Sequence, residues 1–136
     1  MNLMQGDCLE LLKDIPDCSV DMVLTDPPYG VIEKSTHDLK GWTDKKITWD
    51  IPLSADLILG ACNRVLRPNG KCVLLSIDPY TTQLICSAPK SMPFSYRGIW
   101  LKNNAGNVLG CKKNLVSYFE DILIFSKNSG FAFYDF

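Results

Sequence analysis

Asp26, Pro27, Pro28 and Tyr29 sit at the end of the run MVLTDPPYG, and their types and order make a compact set of hydrogen-bond acceptors beside an aromatic ring. Proline lacks a backbone N–H and fixes φ at about −65°, and the residue before a proline is held extended. The Asp26 carboxylate and the neighbouring carbonyl oxygens are therefore presented stiffly. An amine attached to a flat ring would match this arrangement, with its hydrogens on the acceptors and its ring against Tyr29. Asp-Pro-Pro is also turn chemistry, and a tyrosine near a strand end commonly packs in the core or at its rim. The elements around the motif decide between these readings.

Val20 to Thr25 is short, partly β-branched and apolar apart from Asp21, the pattern of a strand buried on both faces. Ahead of it, Leu9, Leu11 and Leu12 suit a short helix over Cys8 to Lys13, with Asp7 placed to cap its free N–H groups. Residues 31 to 53 are polar, lack a period and read as a long loop. Ala55 to Leu66 has apolar residues at helical spacing, and the RPNG that follows reads as a helix stop and turn. Lys71 to Ile77 predicts a second buried strand and Thr81 to Ala88 a short helix. Tyr96 to Lys102 and Tyr118 to Lys127 predict two later strands forming an antiparallel pair. The order strand, helix, strand, helix, strand pair implies an α/β layer whose sheet is mainly parallel. In such a sheet ligands bind beyond the carboxyl ends of the strands, which is where Asp26 falls.

The 136 residues, 46% hydrophobic and 21% charged, suit a single domain. A net charge of −1 argues against a protein that holds nucleic acid by a global basic excess. Six cysteines without CxxC spacing and a lone histidine, His37, argue against a zinc site or a disulfide framework. They fit reduced thiols in a cytoplasm. No apolar run approaches the roughly 20 residues of a membrane helix, and the N-terminus lacks the pattern of a secretory leader.

DPPY after an apolar strand resembles the signature of the amino-methyltransferases that methylate exocyclic amines of nucleic-acid bases with S-adenosyl-L-methionine. QGDCLELLKDIPDCSVDMVLTDPPYG, RVLRPNGKCVLL, WLKN and FEDILIFSK resemble successive blocks of the bacterial DNA methyltransferases of the β group, including those of restriction-modification systems. The resemblance implies a partial Rossmann-like methyltransferase sheet, mainly parallel with a C-terminal antiparallel strand pair, formed by one incomplete catalytic domain over residues 1–136. It implies a flipped adenine in DNA as substrate, since Asp opens the tetrapeptide where Ser would point to cytosine. Asp26, Pro27, Pro28 and Tyr29 are then the catalytic set. Asp7, Cys8 and Asp26 are the expected cofactor contacts, and for Asp7 the helix-cap reading stays open. Lys45 and Lys46, and Trp49 with Asp50 beside it, fall where the family has a mobile loop near the target base and are the expected DNA contacts, although loop lysines are often merely solvated; the same holds for Lys112 and Lys113. Asp78-Pro79-Tyr80 reads as an ordinary strand-end turn. No metal is expected.

One departure from the family is large. Its glycine-rich cofactor turn, an acidic or aromatic residue followed by G-x-G, has no counterpart in this sequence, where Gly106 and Gly110 are the nearest spacing. The resemblance then implies two absent strands inside the sheet, and a chain that repacks, forms a homo-oligomer or pairs with a second polypeptide carrying the glycine-rich motif. Two alternatives stand beside this half-enzyme: a catalytically inactive remnant that binds DNA or a partner, and a methyltransferase acting on cytosine or another amine.

Overall fold

The structure is a computed structural model that describes residues 2–30, 50–104 and 116–128. Helix α1 (Cys8–Leu11) runs into a 3-10 turn over Leu12–Asp14. Strand β1 (Val20–Thr25), helix α2 (Ala55–Val65), strand β2 (Leu66–Ser76), helix α3 (Tyr80–Cys86) and strands β3 (Phe94–Leu101) and β4 (Phe119–Ser126) follow. The strands form one sheet in the order β1-β2-β4-β3. β1 is parallel to β2, and β4 is antiparallel to both of its neighbours. Three of the four strands thus point the same way, with β4 against them, as the sequence pattern predicts. No described helix is long and apolar enough to cross a membrane.

The core lies on one face of this sheet. Ile58, Leu59, Cys62 and Val65 make a buried stripe along α2, spaced at helical period. In the core they join Cys72 and Leu74 of β2, Leu123 and Phe125 of β4, and Leu84 of α3. Each large side chain so buried contributes about 2 kcal/mol, which is enough for the stripe to fix α2 against the sheet. Arg64, on the flank of α2, donates to the carbonyls of Leu12 and Ile15 and pairs with Asp17. It ties the N-terminal turn to the helix.

Three sequence expectations are corrected. First, β1 is not buried on both faces. Val23 packs against the core, but Met22 and Leu24 on the opposite pleat are 55% and 63% exposed, because β1 is the edge of the sheet and its outer face is left open. Second, no gap for absent strands lies inside the sheet. Each neighbouring pair is hydrogen-bonded, so any further strand can join only at an edge, beside β1 or β3. Third, RPNG does not separate helix from strand. It lies within β2 as a bulge, where Asp21 alone stands opposite Arg67, Pro68, Asn69 and Gly70. Its turn chemistry is spent there: Asn69 takes φ 68°, and a Cβ on Gly70 would come within 2.9 Å of the Arg67 carbonyl oxygen. Arg67 spans the bulge to Asp21 at 2.8 Å.

Candidate active site

The strand register gathers the carboxyl ends of β1, β2 and β3 and the start of β4 along one edge of the sheet, through the pairs Thr25 with Leu74, Ser76 with Asp121 and Leu101 with Phe119. The DPPY turn leaves β1 at this edge. Asp26 is exposed, Pro27 is buried, and Pro28 and Tyr29 are half-buried. The Tyr29 hydroxyl donates to Asp26 Oδ1, so the carboxylate and the ring act as one unit. Behind Tyr29 stands Tyr80, the first residue of α3, with ring centroids 6.5 Å apart at 37°. Tyr80 is in turn fixed by donating to the Leu53 carbonyl oxygen at 2.9 Å.

The far end of the turn is clamped as firmly. Gly30 takes φ +69°, and its N–H donates to Asp50 Oδ1 at 3.0 Å. A Cβ at Gly30 would come within 2.7 Å of Pro52 Cδ, so glycine is needed both for the backbone and for the close approach. Two stiff prolines on one side and this clamp on the other leave Tyr29 little freedom of placement.

Burial is the main reason that the Tyr29 phenol is held far above its ordinary pKa; the hydrogen bond to Asp26 comes next, followed by the charges of Asp26 and Glu120. The hydroxyl therefore stays a proton donor throughout the physiological range. Glu120, at the start of β4, is buried and paired with Lys102, whose ammonium stands 5.1 Å from the centroid of the Trp100 ring. One residue further along β4, Asp121 accepts from the Thr81 hydroxyl at 2.8 Å and from Arg97 Nε at 2.7 Å, and Thr81 Oγ1 meets Ser76 Oγ at 2.8 Å. This chain of polar contacts fastens α3, and with it Tyr80, to the end of β2, the start of β4 and the middle of β3.

The candidate residues fall out unevenly. Asp26 and Tyr29 are brought into direct contact. Asp7 caps α1, its Oδ1 accepting from the Leu9 N–H at 2.8 Å, and it is exposed along with Cys8. Lys45, Lys46, Trp49, Lys112, Lys113, Gly106 and Gly110 lie outside the described residues. Sequence reasoning missed Glu120 as a part of the site, read Tyr80 only as part of a strand-end turn, and took Asp50 for a DNA contact beside Trp49 where the structure makes it the clamp on Gly30. The recurrence of Asp-Pro-Tyr at 78–80 was a usable signal for Tyr80. The Gly30–Asp50 clamp and the proximity of Glu120 depend on chain crossings that no local pattern encodes.

No protein-family model matches the chain. It is 27% identical over 128 residues to the DNA adenine methyltransferase YhdJ of Escherichia coli (strain K12), an alignment covering 93% of this chain and 41% of that protein. It is 33% identical over 90 residues to the type II methyltransferase M.BamHI of Bacillus amyloliquefaciens, covering 60% of this chain and 19% of that one. Among solved structures, the complex of M1.HpyAVI with S-adenosylmethionine superposes with a TM-score of 0.57 at 20% identity, over 90% of this chain and 53% of that one. The chain resembles DNA amino-methyltransferases in sequence and in fold. It spans less than half the length of the two curated relatives. Its fold is that of S-adenosylmethionine-dependent methyltransferases.

Proposed function

We propose that this chain supplies the amine-binding part of a DNA methyltransferase that transfers a methyl group from S-adenosyl-L-methionine to the exocyclic amine of a flipped adenine. The observation that carries the reading is the Asp26–Tyr29 unit, backed by Tyr80, at the carboxyl end of β1. The relative YhdJ, an adenine methyltransferase by name, supports adenine as the base.

An adenine amine is a weak nucleophile because its lone pair is delocalised into the ring, and it lies out of reach inside a duplex. Flipping it out costs a few kcal/mol. On this reading Tyr29 stacks on the extruded base, while Asp26 and the Pro27 carbonyl accept the two amine hydrogens. Both bonds draw the nitrogen toward tetrahedral geometry and aim its lone pair, so positioning and charge stabilisation carry the rate. Asp26 takes the proton after the methyl has moved. Pro28 keeps the turn stiff, and Lys45, Lys46 and Trp49 are the proposed contacts to DNA.

The cofactor supplies an electrophilic methyl group on a cationic sulfonium. This chain's residues fit part of it: Asp7 and Asp26 are exposed carboxylates suited to a cation, and the Cys8 N–H is a candidate donor beside Asp7. Because no glycine-rich turn occurs in these 136 residues, the rest of that site is assigned to residues outside them, in the same polypeptide or in a second one.

The test combines calorimetric titration of the purified chain with S-adenosyl-L-methionine, its mass in solution, and transfer of labelled methyl to adenine-only and cytosine-only DNA. We expect Asp26→Ala to lower transfer to adenine by about 100-fold or more, the scale for loss of a charge-stabilising group. Undiminished transfer by that variant would refute the role given to Asp26. Transfer to cytosine alone would move the substrate to that base.

A further inference from the structure

On the proposed reading the ring of Tyr29 is a stacking surface; the geometry points to a second task for its hydroxyl. We propose that its hydroxyl is a positioning group for the Asp26 carboxylate: by donating to Oδ1 it selects one side-chain orientation and leaves Oδ2 as the acceptor for the substrate amine. The inference rests on the reading of the DPPY turn as the amine-binding site.

Asp26 is exposed, although Pro27 beside it is buried, so backbone stiffness alone leaves χ1 of the aspartate free among its staggered rotamers. No hydrogen bond other than the one from Tyr29 is observed at the Asp26 side chain among the described residues. The phenol is well placed to select one rotamer. Its ring is held from behind by Tyr80, which is anchored on the Leu53 carbonyl, and its backbone is held by the clamp from Gly30 to Asp50. The order in the site thus passes from the core through Tyr80 to Tyr29 and from Tyr29 to Asp26. A carboxylate fixed through one oxygen offers the other in a defined direction, and sub-ångström control of an acceptor is what alignment of a weak nucleophile needs. A Phe at position 29 would keep the stacking face and lose this control.

Nuclear magnetic resonance of the full chain decides it without requiring activity. Three-bond Hα–Hβ couplings of Asp26 should report one rotamer in the wild type and averaging over several in Tyr29→Phe. In the reverse direction, exchange of the Tyr29 hydroxyl proton with water should be at least about tenfold faster in Asp26→Ala than in the wild type, the factor corresponding to one hydrogen bond of about 1.4 kcal/mol. A single Asp26 rotamer that survives Tyr29→Phe, or hydroxyl exchange indifferent to Asp26→Ala, overturns the proposal. Titration with 2′-deoxyadenosine separates it from the functional reading. Weaker binding by Tyr29→Phe, about tenfold, supports both. Failure of the wild type to bind the nucleoside while the couplings behave as expected would sink the base-binding reading and leave the positioning contact established.

Discussion

The polar chain beneath the candidate site makes an asymmetric prediction about stability. Asp121 and Arg97 form an ion pair at 2.6 Å in which the carboxylate side chain is 3% exposed and the guanidinium side chain 41% exposed. Replacing Arg97 with Met strands a buried carboxylate that, among the described residues, keeps the Thr81 hydroxyl as its side-chain partner. Breaking a buried pair by removing one member costs about 3–5 kcal/mol, and the half-exposed rim places this case near the low end, at about 3 kcal/mol. Replacing Asp121 with Ala is milder. Arg97 returns to water, Thr81 keeps its bond to Ser76, and the desolvation of the carboxylate is relieved, so the loss should be about 1–2 kcal/mol. Urea unfolding followed by circular dichroism reads both. With a slope of about 2 kcal/mol per molar, Arg97→Met should lower the midpoint by roughly 1.5 M and Asp121→Ala by less than about 1 M, with slopes unchanged. The reverse order, or a loss under about 1 kcal/mol for Arg97→Met, would refute the view that a buried charge, rather than the packing of Arg97, dominates this strut.

Two further predictions concern the turn and its backing residue. Burial pushes the Tyr80 phenol up to about 12, above its value of about 10 when unfolded, so the stability it contributes is fully present below pH 10 and is lost as pH rises through 12. That contribution is on the order of 2 kcal/mol; Tyr80→Phe should flatten the alkaline limb of a stability-versus-pH curve over this window, and an unchanged limb would count against the buried phenol. Gly30→Ala should lower stability by about 1–3 kcal/mol in thermal unfolding, from positive φ and the clash with Pro52 together, whereas a neutral result would show that the clamp yields.

What could be read beforehand was the local part of this architecture. The boundaries of β1, the stripe of α2 and the antiparallel pairing of the last two strands follow from periodicity and punctuation. The motif address also followed, because an apolar strand ending in Asp-Pro-Pro places its carboxylate at the sheet edge. The bulge at Arg67–Gly70 was hidden, since the same glycine and asparagine chemistry makes a free turn or an interrupted ladder, and only pairing with β1 decides which. The exposure of Met22 and Leu24 was equally hidden: a run of apolar residues reports what a strand could bury, and its place at the edge reports what it does bury. Asp50, Tyr80 and Glu120 join the site from three other segments, through contacts that are long-range in sequence.

The charges at the site bear on how the proposed reaction divides its labour. Asp26 is exposed at the edge of the sheet, and Asp50 and Glu120 lie buried close to Tyr29, either hydrogen-bonded to the turn or acting on the phenol through their charge. Lys102 answers Glu120, whereas Asp26 has no ion-pair partner among the described residues, so its negative charge stands at the turn. Such a field favours a cationic sulfonium and the positive charge that develops on an amine as it is methylated. It disfavours the phosphates of the same DNA strand. On the proposed reading, then, the DPPY edge is built for the reacting amine and for the methyl donor, and the grip on the polynucleotide has to come from outside it, by lysine-bearing segments or a partner. Raising the ionic strength should accordingly weaken DNA binding steeply while leaving 2′-deoxyadenosine binding nearly unchanged, because screening acts on phosphate contacts and hardly on a neutral nucleoside. Equal salt sensitivity of the two ligands would show that the division is wrong and that the turn itself meets the backbone.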